Sequence, residues 1–263
     1  MIDSWEITIP ELSGDEERRV YVYLPDYVEE NPEDRYPVLY MFDGHNLFFD
    51  EEATYGTSWH LGEFMEETGL PLIIAAVECS HDPENGRLQE YAPFSFYDPA
   101  YGGIVAKGPK TMEWMVNEFK PYVDANYPTL PEREHTFIAG SSMGGLMSLY
   151  AVLSYNEIFS GAAALSPSIW TAPDQIEKMI KKAKVQEETT LYLDYGSEEL
   201  KVRENYRMAE HFGYFTSLLI EKGIFVTSRI VPHGVHTESN WEKQIPYFME
   251  ALLYPFLTGE EED

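Results

Sequence analysis

The chain has 263 residues, 44% of them hydrophobic, enough for one large α/β domain with a sizeable core. Its formal net charge is −28, from 18 Lys and Arg against 46 Asp and Glu. That argues against nucleic-acid binding, which depends on basic residues neutralising phosphates, and disfavours polyanionic substrates. One cysteine, Cys79, excludes an intramolecular disulfide, and no apolar stretch reaches membrane-spanning length.

The N-terminus, Met1-Ile2-Asp3-Ser4-Trp5, has neither a basic region nor an apolar run of signal-peptide length, so a cytoplasmic location is expected. Trp5 to Ile9 reads as a strand, and Arg18 to Leu24 alternates like a half-buried antiparallel edge. Val38 to Phe42 is a continuous apolar run, as expected of a central parallel strand, and the turn Asp43-Gly44-His45-Asn46 follows it. Trp59 to Thr68 predicts a helix closed by Gly69, and Leu72 to Val77 another buried strand, with Cys79 a buried thiol just beyond. Residues 79–107 form a long segment rich in Pro, Gly and aromatics, of the kind that is usually functional or lid-like.

Pro109 to Asn126 has helical periodicity with a kink expected at Pro121. A strand from Thr136 to Ala139 and a helix from Leu146 to Leu153 flank a glycine-rich turn. Further strands are expected at Ala162–Leu165, Thr190–Asp194 and Ile224–Val231. Helices are expected at Asp174–Lys184, Leu200–Lys222 (closed by Gly223) and Asn240–Leu257, ahead of a solvated acidic tail, Glu260 to Asp263. No repeat or low-complexity linker interrupts the chain, so residues 1–263 are read as a single domain. Strands alternating with helices predict an α/β fold: a mostly parallel central sheet with antiparallel N-terminal strands and helices on both faces. Ligands of such sheets bind outside the carboxyl ends of the strands. Ser142 and the turns at 43–46, 194–199 and 232–236 should therefore share one edge.

Gly140-Ser141-Ser142-Met143-Gly144 fits G-x-S-x-G, and its strand-before, helix-after context is that of a nucleophile elbow. A serine hydroxyl needs a neighbouring base, and the base an orienting acid, both expected downstream in the order Ser, acid, His. The base candidates are His236 and His233, in Pro232-His233-Gly234-Val235-His236 after the last strand; His211 falls inside a predicted helix. His236 is preferred. The acid should come from Asp194-Tyr195-Gly196-Ser197-Glu198-Glu199, with Glu199 preferred over Asp194 and Glu198. An oxyanion hole needs two backbone N–H groups, expected from Met143 and His45. No zinc, dinucleotide or phosphate-loop signature appears, so neither metal nor cofactor is expected.

With these residues placed, the chain resembles the enterochelin esterase-like branch of the α/β-hydrolases. This broad esterase family also holds feruloyl and acetyl-xylan esterase domains, S-formylglutathione hydrolase and mycolyltransferases. The resemblance is carried by Tyr40 to Phe48, Arg87 to Pro93, Gly140 to Gly145, Leu165 to Trp170 and His236 to Trp241, in family order. It implies the α/β-hydrolase fold and a serine esterase with Ser142 as nucleophile, His236 as base and the acid at Glu199. Two departures stand out: Glu replaces the Asp common in feruloyl members, and Gly234 lies one residue further from the histidine than in the usual Gly-His pair. Some enterochelin-type members are thought to work with a Ser–His pair alone.

The expected reaction is hydrolysis of a small-molecule carboxylic ester through an acyl-enzyme. An acylated carbohydrate or a hydroxycinnamate ester is the leading substrate class, and a siderophore trilactone the alternative. Trp170, Asn46 and Glu90 are candidate pocket residues. A non-catalytic binding protein on the same scaffold is the competing class, although this chain keeps both Ser and His. No membrane or nucleic-acid partner is expected, and the oligomeric state, a homodimer included, is left open.

Overall fold

The computed structural model describes residues 1–28 and 33–257, so the acidic tail lies outside the described residues. Its strands are β1 Ile2–Thr8, β2 Glu17–Tyr23, β3 Val38–Met41, β4 Ile73–Val77, β5 Phe96–Asp98, β6 Gly102–Ile104, β7 Thr136–Ser141, β8 Gly161–Leu165, β9 Thr190–Gly196 and β10 Phe225–Val231. Its helices are α1 Pro10–Ser13, α2 Leu61–Thr68, α3 Gly86–Glu90, α4 Gly108–Trp114, α5 Lys120–Asn126, α6 Met143–Ser154, α7 Pro173–Lys182, α8 Val202–Glu221, α9 Glu238–Glu242 and α10 Ile245–Leu257.

Eight strands form one sheet in the order β1-β2-β4-β3-β7-β8-β9-β10. β1, β2 and β4 pair antiparallel, and every pair from β4 through β10 is parallel. β2 is not the edge that its alternation predicts. It lies between β1 and β4, and β1 takes the edge.

Alternating residues of each central strand feed two cores. Val38, Tyr40 and Phe42 join the layer that holds α4 to α8, whereas Leu39 and Met41 join the layer of α2 and α10. With both faces covered, β3, β4 and β8 read as near-continuous apolar runs, and β7 is buried along its whole length although it begins at Thr136 and ends at Ser141.

Two predicted helices are divided. Pro121 lacks an N–H for its preceding turn, and the chain widens into a π-turn at Met115–Phe119 between α4 and α5. The C-terminal helix breaks after Glu242 and restarts at Ile245, where Pro246 fits the first turn of α10. The 79–107 segment folds into α3 and the β5–β6 hairpin.

Candidate active site

Ser142 follows β7 directly and precedes α6, with φ 57° and ψ −117°. A non-glycine residue rarely adopts a positive φ, and the strain is held from outside. The Ser142 N–H donates to the Leu165 carbonyl at 2.9 Å, and the Ser142 carbonyl accepts from Leu146 and Ser168 at 3.0 Å each. Close approach of α6 to β8 requires glycine at 145, where a Cβ would lie 2.6 Å from the Leu165 carbonyl oxygen.

The three residues preferred from sequence meet in one hydrogen-bonded row. His236 Nε2 lies 2.9 Å from Ser142 Oγ, and His236 Nδ1 lies 2.9 Å from Glu199 Oε2. An ionised carboxylate only accepts, so Nδ1 carries the proton and Nε2 is free to accept from the serine hydroxyl. Glu199 is nearly buried, whereas His236 is open to the cleft. The other Glu199 oxygen accepts from the Gly196 N–H at 2.6 Å and from the Ser166 hydroxyl. Ser166 in turn accepts from Trp241 Nε1 at 2.9 Å, and the Trp241 ring stands edge-on to the His236 imidazole, centroids 4.9 Å apart. The carboxylate and the imidazole are thus held by one network that closes through Trp241.

The alternatives fall elsewhere. His233 and Glu198 make their own pair at 2.6 Å, exposed to solvent. His211 stacks on Phe215 within α8. Asp194 is buried beneath the row. Its Oδ1 accepts from the Ser166 N–H at 3.0 Å and its Oδ2 from the Tyr192 hydroxyl at 2.8 Å. Burial pushes the Asp194 carboxyl up to about 6, against those hydrogen bonds.

The turn after β3 is equally fixed. Asp43 adopts the left-handed conformation, φ 57° and ψ 49°. Its carboxylate accepts two hydrogen bonds from Arg87 at 2.7 Å each, and its N–H donates to the Tyr91 hydroxyl at 3.1 Å. Burial opposes ionisation of Asp43, but the Arg87 guanidinium prevails and holds the carboxyl below its usual range. Arg87 comes from the 79–107 segment, so that segment buttresses the site. Among the described residues no acceptor takes the backbone N–H of His45 or of Met143. Asp43, His45 and Cys79 are close enough to suggest a metal cluster, but both Asp43 oxygens already face a guanidinium, a poor neighbour for a cation.

A cleft of about 550 Å³ opens over Ser142, lined by Asn46, Thr54, Tyr55, Arg87, Glu238 and Trp241 among others. Of the pocket residues expected from sequence, Asn46 lines it. Glu90 does not: it is buried against Arg18, which bonds both its oxygens, because a carboxylate that deep in the core must have a cation. Trp170 also lies outside this lining. It is half-exposed and packs edge-on against Phe96 of the hairpin. Sequence reasoning missed Ser166 and Arg87 as supports. Ser166 directly follows β8 at the active edge and Arg87 lies in α3, but a serine or arginine there has no distinguishing spacing.

A strained serine between a parallel strand and a helix, with histidine and carboxylate on later strand-end loops, marks an α/β-hydrolase fold. The family model described as "Putative esterase" matches residues 13–251, and the chain belongs to that family. It is similar to the uncharacterized protein YbbA of Bacillus subtilis (strain 168), 26% identical over 196 residues, 72% of this chain and 71% of that protein. It is 24% identical over 182 residues to the ferri-bacillibactin esterase BesA of the same strain, covering 63% of this chain and 60% of BesA. Among solved structures, a ferulic acid esterase superposes with a TM-score of 0.69 at 18% identity, over 96% of each chain. No helix among the described residues is long and apolar enough to cross a membrane.

Proposed function

We propose that this protein is a serine carboxylesterase that works through an acyl-enzyme. The observation that carries the reading is the continuous row Glu199–His236–Ser142, with both links at 2.9 Å. In it, His236 Nε2 takes the hydroxyl proton as Ser142 Oγ attacks the ester carbonyl carbon. The N–H groups of Met143 and His45 receive the negative charge that develops on the carbonyl oxygen. When the tetrahedral intermediate collapses, His236 returns the proton to the leaving alcohol. Water, deprotonated by the same nitrogen, then attacks the acyl-serine and releases the acid. Glu199 holds the imidazole in the required tautomer and stabilises the imidazolium.

The substrate class that suits the cleft is an acylated carbohydrate or a hydroxycinnamate ester. Hydroxyl and amide side chains, Asn46, Thr54, Thr57, Thr237 and Ser239, share its lining with the rings of Tyr55 and Trp241. The likeness to the ferulic acid esterase is one of fold and is consistent with this choice. The similarity to BesA favours a second reading, a siderophore ester, against which the −28 charge weighs.

A fluorophosphonate probe tests the mechanism. It should label the wild type and not Ser142→Ala; equal labelling of both proteins would refute it. A panel of p-nitrophenyl acetate, methyl ferulate, acetylated xylo-oligosaccharide and a catecholate trilactone tests the substrate class. Turnover of the trilactone alone would establish the second reading instead.

A further inference from the structure

Glu238 plays no part in the row just described, yet it lines the same cleft. It is the first residue of α9, only 6% exposed. Its carboxyl accepts a hydrogen bond from its own backbone N–H, and among the described residues no other donor to it is found. The residue is packed in while its carboxyl reaches the cleft, and among the described residues it has no paired cation of the kind Glu90 has in Arg18 and Asp43 has in Arg87. Arg87 lies near enough to act on Glu238 through space but is committed to Asp43. Burial raises the Glu238 carboxyl above its ordinary range, which fits a group whose partner comes from outside the protein.

Its place in the chain says which part of the substrate it meets. Glu238 follows His236 by two residues, and Thr237 and Ser239 on either side line the cleft with it, their hydroxyls 3.2 Å apart. In the esterase mechanism proposed above, on which this inference rests, His236 hands its proton to the departing alcohol. The stretch that carries His236 onward therefore borders the alcohol rather than the acyl group.

We propose that Glu238, with Thr237 and Ser239, forms an alcohol-side subsite that accepts hydrogen bonds from free hydroxyls of a neutral polyol and rejects alcohols bearing a negative charge. Either protonation state of the carboxyl keeps a lone pair for a hydroxyl donor. Only the ionised state repels an anion, and that repulsion is strong where water is scarce. The acidic surface opposes anions at long range; Glu238 does so at the point where the ester is read.

The test compares kcat/KM for two acetyl esters with the same skeleton, 1-acetylglycerol and 3-O-acetylglycerate. The second replaces a hydroxymethyl group by a carboxylate. The wild type should prefer the neutral ester, and Glu238→Gln should shrink that preference on the order of tenfold. Ser239→Asp, which adds a charge in the same subsite, should widen it. Using the ratio cancels any general loss of catalytic power. Glu63→Gln, at an exposed position on α2, removes the same charge away from the cleft and should leave the ratio unaltered. An unchanged ratio in Glu238→Gln, or an equal shift in Glu63→Gln, would overturn the proposal while leaving the esterase intact. Absence of wild-type turnover on p-nitrophenyl acetate as well as on both glycerol esters would overturn the esterase reading and this inference with it.

Discussion

Gly196 and Gly234 touch through their backbones: a Cβ on Gly196 would lie 2.3 Å from the Gly234 carbonyl oxygen. This contact joins the loop that carries Glu199 to the loop that carries His236. Hydrogen bonds run alongside it, from the Glu198 N–H to the Gly234 carbonyl at 2.9 Å and from the His233 N–H to Ser197 Oγ at 2.9 Å. Gly196→Ala should drive the loops apart, lowering kcat on p-nitrophenyl acetate at least tenfold and stability by about 1–3 kcal/mol. Gly213, within α8, has nothing within 4 Å of an added Cβ. Gly213→Ala should stabilise by about 0.5–1 kcal/mol, read from urea midpoints. A harmless Gly196→Ala would show that the contact does not set the distance between acid and base.

In the proposed mechanism Ser142 and His236 act on one proton, so their contributions should not add. Each single alanine variant should lose on the order of 10⁴-fold or more in kcat, and the double variant little beyond that. Multiplicative losses, measured by steady-state hydrolysis, would mean that the two residues work independently.

Ser166 holds Glu199 directly, and Trp241 holds it through Ser166 while its ring also lines the cleft. Ser166→Ala removes a donor to the carboxylate and leaves the buried Trp241 N–H without an acceptor, costing about 1–3 kcal/mol of stability. Trp241→Phe removes the same link from the other side. Both should lower kcat roughly tenfold with little change in KM, since the loss falls on the transition state. A rise in KM alone would assign these residues to substrate binding.

Asp194 should make stability depend on pH with an unusual sign. Its carboxyl is raised from 3.8 to about 6 in the folded protein, so the folded state holds the proton more tightly than the unfolded one. The group therefore favours folding most at low pH, and that advantage is lost as pH rises from about 4 through about 6. Relative to wild type, Asp194→Asn should gain stability across that window by up to about 3 kcal/mol and level off above it. Denaturant unfolding at pH 4, 5, 6 and 7 measures the difference. A difference that falls with rising pH would contradict the assigned shift.

Much of the fold was legible because each central strand is buried on both faces and must be apolar throughout. That made β3, β4, β7 and β8 visible as runs, and it left the intervening amphipathic segments as helices. The order of β2 was not legible: alternation reports that one face is more polar, and says nothing about whether β1 pairs outside it. The break at Glu242 was missed for a similar reason, since a helical period continues through Pro246 although the backbone restarts there.

At the candidate site, sequence by itself singled out Ser142 as the candidate nucleophile, through the strand–turn–helix context that a nucleophile elbow needs, and narrowed the candidate base and acid to short strand-end loops. The tertiary structure separates the alternatives by geometry, because His233 and His236, or Glu198 and Glu199, differ in direction rather than in kind. Loop geometry turns one histidine–glutamate pair outward and the other onto Ser142. It also turned Glu90 from a candidate pocket residue into the buried partner of Arg18, and revealed Glu238 in the cleft. Which way a side chain faces depends on contacts between distant segments, and no local pattern encodes that.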